Sequence, residues 1–165
     1  MFTIQVIGDY IYKMIRASGC IFLSVDSGRV MLQLRSNRVT HPNTWGFFGG
    51  KGENDERPIE TLLREIQEEL MMTPDILRII PVNKFTATNR KFEYNSFVIT
   101  VSKEFCPPLN SESAGYCWVN IGQWPQPIHP GARVQCKSKE FMKKLKTIQE
   151  QSSILDGQNS IVITS

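Results

Sequence analysis

Hydrophobic and polar positions along the chain alternate first with a period of two. Phe2, Ile4 and Val6 alternate before Gly8-Asp9 breaks the run, which predicts an edge strand. Ala17–Val25 is a β-type apolar run, Asp26-Ser27-Gly28 is turn chemistry, and Val30, Leu32 and Leu34 alternate within Arg29–Ser36. Together they predict a hairpin. A polar loop from Asn37 to Thr44 leads into a short aromatic strand, Trp45–Phe48, followed by a glycine loop over Gly49–Asp55. Two β-like runs, Arg78–Thr88 and Phe92–Val101, flank Asn89-Arg90-Lys91, and a last short strand is predicted over Tyr116–Ile121.

Two segments change to helical spacing. Ile59, Leu62, Leu63, Ile66 and Leu70 form one apolar stripe at about 100° per residue, opened by Pro58 and ended near Met72, with Pro74 beyond. A second helix is predicted over Val134–Gln149, with Phe141, Met142 and Leu145 on one side and lysines on the other. Strands interleaved with two helices and several hairpins give an α/β or α+β chain with a mixed sheet. One domain is expected over residues 1–150. The tail, 151–165, reads as mobile or as an added edge strand through Ile161-Val162-Ile163.

Composition narrows the class without changing that picture. Hydrophobic residues make up 41% and charged residues 21% of the 165, which is average for a packed soluble domain. No apolar run approaches the ~18 residues of a membrane span, and no signal peptide is apparent, so the expected location is cytoplasmic. None of the four cysteines has zinc spacing; Cys20 and Cys117 read as small buried hydrophobes. The net charge of +3 is too small to argue for nucleic acid, and the lysine-rich Lys137–Lys146 segment reads as the solvated face of a packed helix. A homodimer stays open.

The chemistry concentrates between Gly49 and Met72. On the helical wheel Glu65, Glu68 and Glu69 gather at the edge of the apolar stripe. Two carboxylates ~6 Å apart repel by roughly 3 kcal/mol if partly buried, and by only tenths if exposed. Two readings follow: a solvated acidic face, or a hard-cation site for Mg²⁺ or Mn²⁺ that takes oxygen ligands together with substrate phosphates. Gly49, Gly50 and Gly52 allow the backbone to approach closely. Arg64 can hold a carboxylate such as Glu56 through two hydrogen bonds.

Gly50, Glu56, Arg64, Glu65, Ile66, Glu68, Glu69 and Met72 stand in the spacing of a Gly, five residues, Glu, seven residues, Arg-Glu, aliphatic, any residue, Glu-Glu, any residue, Gly, aliphatic. The stretch resembles the box of the Nudix hydrolases, MutT-like members included. The preceding Trp45-Gly46-Phe47-Phe48-Gly49 resembles the family's approach to that box, and the order of elements extends the likeness over about residues 15–150. One position departs: Met71 stands where the family has glycine, which should alter the C-cap of the helix and not the site. Arg57 also replaces the usual Ser or Thr, so capping should be poorer.

The resemblance implies a Nudix-type α/β/α sandwich. It also implies hydrolysis of a nucleoside diphosphate linked to another group, with a small-molecule nucleotide as substrate and Mg²⁺, or Mn²⁺ in its place, as cofactor. It makes Glu65, Glu68 and Glu69 metal ligands or neighbours of the attacking water, adds the Gly50 carbonyl, and leaves Glu56 and Arg64 structural. A further carboxylate from a loop across the site is expected at Glu112, against the plainer reading of a surface acid, with Glu93 as second choice. Arg35, Lys51 and His129 are candidate substrate contacts, each weighed against an ordinary exposed or structural role. Trp45, Phe47 and Phe48 read either as base-stacking or as core. A MutT-like nucleoside triphosphate pyrophosphohydrolase is the default. A nucleotide-sugar hydrolase of ADP-ribose or GDP-sugar type, a silent nucleotide-binding domain and a decapping-type enzyme are the alternatives, the last disfavoured by the low charge.

Overall fold

The computed structural model describes residues 13–160, and side chains as far as Leu155. The alternating Phe2–Val6 run and Ile161–Ile163 lie outside them. Seven strands and three helices follow in the order β1 (Ile15–Ser24), β2 (Val30–Arg35), β3 (Trp45–Gly46), β4 (Phe48–Lys51), α1 (Pro58–Leu70), β5 (Ile76–Thr86), β6 (Phe92–Val101), β7 (Ser113–Val119), α2 (Pro130–Lys137) and α3 (Lys139–Ser160). They form one mixed sheet in the order β3-β2-β1-β6-β5, with β4 also on β1 and β7 also on β2. Only β1 and β6 pair in parallel; the other pairs are antiparallel.

Strand β1 is buried on both faces, as expected for the strand at the centre of the sheet. Cys20 and Phe22 point to the layer of α1, where Leu62, Ile66 and Leu70 close the core. Ile21 and Leu23 point the opposite way, to Phe141, Leu145 and Ile148 of α3. The result is the sandwich that the resemblance implies, built on the mixed sheet that the interleaved pattern predicts. Pro81 sits in β5, the edge strand, where a missing N–H costs no ladder bond.

The partner of β1 changes along one edge, and this positions the site. Ala17–Cys20 pair with β4, whereas Phe22 and Leu23 pair with β2. The aromatic run therefore does not form one strand: β3 stays on β2, β4 joins β1, and Phe47 makes the crossing between them. Strands β2 and β4 diverge here, which leaves a gap between their ladders. The side chain of Gln33, 2% exposed, bridges it by donating to the Phe47 carbonyl at 2.8 Å.

Four other expectations are corrected. The apolar stripe of α1 is narrower than the wheel suggests: Leu62, Ile66 and Leu70 are buried, but Ile59 and Leu63 are 36% and 42% exposed. Thr61 and Glu69 take the space instead. The second predicted helix is two, because His129 caps an earlier start at Pro130, and Ser138 turns extended and accepts from the Phe141 N–H to begin α3. Helix α3 then continues to Ser160, so residues 151–160 are helical where a mobile tail was expected; the strand expected at 161–163 lies outside the described residues. Of the two cysteines read as buried, Cys20 is and Cys117 is only half-buried.

Both caps of α1 follow their residues. Arg57 forms half of a capping box: its N–H donates to Glu60 at 2.8 Å, but the guanidinium has no acceptor to return the bond. At the other end Met71 sits at φ 54°, the left-handed conformation a glycine adopts without penalty, and is 62% exposed. Met71→Gly should therefore stabilise the protein by about 1 kcal/mol, read as a rise in the urea midpoint; an unchanged or lower midpoint would show that the Met71 side chain contributes packing that outweighs the backbone strain.

Candidate active site

The glycine turn meets α1 at close range. Gly49 holds φ 141°, and a Cβ there would fall 2.1 Å from the Ser18 carbonyl oxygen, so only glycine lets β4 pair with β1 at this point. A Cβ on Gly50 would fall 2.5 Å from the Glu65 carboxylate. The strand thus lies directly against the acidic edge of α1. The Gly49 N–H donates to Glu69 Oε2 at 2.8 Å, and the Asn110 N–H donates to the Glu69 carbonyl at 2.8 Å.

The three helix glutamates are graded in burial. Glu69 is 3% exposed; the side chain of Glu65 is 13% exposed and that of Glu68 55%. Burial pushes the Glu69 carboxyl up to about 8, reinforced by the nearby Glu65 and Glu112 charges, while the Gly49 N–H and the Gln33 amide pull the other way. Burial also raises Glu65, opposed by Arg64 and supported by Glu68 and Glu112. Glu112 is therefore near enough for its charge to act on both carboxyls. Its loop is fastened at both sides: Ser36 N–H donates to the Glu112 carbonyl at 2.9 Å, and Ser36 Oγ to the Ser111 carbonyl at 2.7 Å.

Arg64 counters this charge. Its guanidinium donates to Glu56 at 2.8 and 3.1 Å, to Glu65 at 2.9 Å, to the Lys51 carbonyl at 2.8 Å, and at 3.4 Å to Glu68. The Arg64–Glu56 fork expected from sequence is present, and those hydrogen bonds hold the Glu56 carboxyl down to about 2. No three Asp, Glu, His or Cys side chains are already gathered at cation-binding distance among the described residues. The geometry supplies a reason: Arg64 draws Glu65 and Glu68 toward itself. The oxygen-only donor set, the buried Glu69 carboxyl and the close approach of Gly50 to Glu65 nonetheless fit a hard divalent cation.

The other candidates separate. Arg35 and His129 both approach Gly46, where a Cβ would fall 3.4 Å from His129 Cβ and 3.9 Å from Arg35 Cδ. A bulge between Leu34 and Arg35 aims that arginine. Lys51 is exposed beside the glycine turn, its carbonyl held by Arg64. Glu93 pairs with Lys84 at 3.2 Å and bonds Asn95, an engagement on the β5–β6 pair that leaves it outside the carboxylate group. Phe48 is fully buried core and Phe47 packs on Phe141, so neither is a stacking platform. Trp45 packs against the α3 core.

Sequence reasoning missed Gln33, Tyr94 and His41. Gln33 had a signal, a polar residue inside an apolar strand; Tyr94 had none, because its placement depends on Gly19 across the sheet. An added Cβ on Gly19 would collide with the Tyr94 hydroxyl.

The NUDIX domain family matches residues 13–137. The chain belongs to the Nudix family. A nucleoside triphosphate pyrophosphatase/Nudix hydrolase fusion protein of Bifidobacterium longum is 31% identical over 117 residues, covering 66% of this chain and 24% of that protein. The chain thus spans about a quarter of that relative's length. The fold resembles the Nudix hydrolase RenU of M. smegmatis, with a TM-score of 0.60 at 17% identity over 85% of this chain and 87% of that one. It also resembles the MutT protein of Methanosarcina mazei Go1, with 0.58 at 21% identity over 82% and 94%. The NUDIX domain of Shewanella oneidensis NrtR, solved with ADP ribose, gives 0.62 at 16% identity over 81% and 88%.

Because the Glu69 carboxyl titrates near 8 when folded and near 4.5 when unfolded, its contribution is most favourable below about 4.5 and is lost as pH rises through 8. In EDTA, Glu69→Gln should therefore stabilise the protein at pH 9 by on the order of 2 kcal/mol and have little effect at pH 5. Urea unfolding at the two pH values checks this; equal effects at both would mean that Glu69 is not held against its charge.

Proposed function

We propose that the protein is a divalent-cation-dependent pyrophosphohydrolase, acting on a nucleoside triphosphate in the MutT manner and releasing the nucleoside monophosphate and pyrophosphate. The observation that carries this reading is the convergence of Glu65, Glu69 and Glu112 on one cleft beside a glycine strand, with one carboxyl buried at 3% exposure. Such a group of like charges is destabilising by itself and becomes favourable when a cation and its phosphates enter.

Glu65 and Glu69 would hold Mg²⁺, with Mn²⁺ able to substitute, joined by the Gly50 carbonyl and by Glu68 from the exposed rim. The bound cation would neutralise the phosphate oxygens and acidify a water. Glu112, on its fastened loop, would take the proton of the water that attacks phosphorus as the anhydride P–O bond breaks. Glu56 and Arg64 position the glycine turn against the helix. Arg35 and His129 would receive the part of the substrate that extends beyond the carboxylates, and Lys51 would meet the phosphates at the turn. The family membership supports this class of reaction, and a small-molecule nucleotide suits a cleft between two parts of one sheet. A nucleotide sugar would offer the same phosphates with a different second half, and a panel separates the two.

The test is product release from nucleoside triphosphates, ADP-ribose and GDP-sugars with Mg²⁺, Mn²⁺ or EDTA. Triphosphates should be turned over with metal only. Glu69→Gln should lower kcat by about 100-fold or more, and Glu112→Gln should lower kcat with KM little changed. Turnover in EDTA, or full activity of Glu69→Gln, would remove the metal reading; turnover of the sugars alone would reassign the substrate.

A further inference from the structure

Within the described residues, three polar groups beyond the carboxylates have hydrogen-bonding capacity that no protein group uses. The first is His129. Its Nδ1 accepts from the Gly131 N–H at 3.1 Å, which caps α2 and fixes the neutral ring with its proton on Nε2. Burial, with Arg35 and His41 nearby, lowers its pKa to about 4, so the ring is neutral in the physiological range. The second is Arg35, whose Nε and one terminal nitrogen bond the carbonyl and hydroxyl of Thr40 at 2.7 and 3.1 Å, leaving the other terminal nitrogen unspent. The third is the Tyr94 hydroxyl, seated over Gly19 where any side chain would displace it.

Arg35 pairs with Ser113, next to Glu112, and approaches Gly46 together with His129. Tyr94 feels both Glu69 and Arg35, and Arg35 in turn acts on His129. The His129 backbone N–H donates to the Trp45 carbonyl at 2.8 Å, and His41 packs edge-on against its ring at 4.9 Å, so the imidazole is held in place. A nucleotide with its phosphates at the carboxylates would extend past Tyr94 and bring its base to Arg35 and His129.

Both groups at that end can only donate. Arginine has no acceptor, and the one acceptor of His129 is committed to its own helix. A base edge placed there must accept. Guanine and hypoxanthine present O6 and N7, and uracil and thymine present O4; adenine and cytosine place an amino donor at the corresponding position. We propose that Arg35 and His129 form a base-reading wall that selects keto bases over amino bases. This rests on the nucleotide reading above and adds the substrate's base class to it.

The test compares inosine triphosphate with ATP, two purines that differ at position 6. Their kcat/KM values are measured with Mg²⁺, and the Kd values of the α,β-methylene analogues of GTP and ATP are measured without turnover. The keto base should be favoured by about 10-fold or more in both. His129→Asn keeps an acceptor for the Gly131 N–H and still offers an amide donor, so the preference should persist. His129→Asp also caps α2 but presents only acceptors, so the preference should vanish or invert. Metal-dependent turnover with inosine and adenine nucleotides used equally would overturn the base-reading wall and leave the hydrolase reading standing. A keto preference unchanged in His129→Asp would also overturn it. Failure of both methylene analogues to bind would overturn the wall and the nucleotide reading together.

Discussion

The organisation of this protein turns on how Arg64 balances the acidic edge of α1. A single guanidinium binds Glu56, Glu65 and the Lys51 carbonyl, and reaches Glu68. Through Glu56 and Lys51 it holds the glycine turn; through Glu65 it holds the helix. The two elements can then press together as closely as Gly49 and Gly50 allow. Without that positive charge, the carboxylates would repel one another across a partly dry space where screening is weak.

What Arg64 does not reach is as informative. Glu69 lies deeper, with only the Gly49 N–H and the Gln33 amide to support its charge. Two neutral donors do not offset the burial of a carboxylate, so the group holds its proton well above the usual range. A protein that keeps such a residue where β1 exchanges β4 for β2 has a local instability at its cleft. In the proposed mechanism an incoming cation relieves that instability. Arg35 and His129 keep spare donors beside Gly46, so the fold joins the acidic edge of α1 with a separate set of donors.

The sequence was most informative where chemistry is local. The glycine turn and the Arg64–Glu56 fork follow from spacing, because each depends on residues within one turn and one helix. The altered C-cap at Met71 was legible only through the resemblance, which puts glycine there. Other features depended on pairing between distant segments. The aromatic run looks like one strand, but it divides because β1 has room for two partners along one edge. Ile59 and Leu63 fit a helical stripe and remain exposed, since Thr61 and Glu69 face the sheet there instead. The break at Ser138 was hidden because the lysine-rich pattern continues across it. Tyr94 could not be found without knowing that Gly19 lies beneath its hydroxyl.

Direct titration with Mn²⁺, followed by the loss of its free-ion electron paramagnetic resonance signal, tests the central claim without any assumption about substrate. The account predicts saturable binding at pH 8 that is strongly weakened in Glu65→Gln and in Glu69→Gln and is retained in the exposed-helix variant Lys146→Ala. Binding that is absent from the unaltered protein, with or without nucleotide present, or that is unaffected by either glutamate substitution, would contradict it.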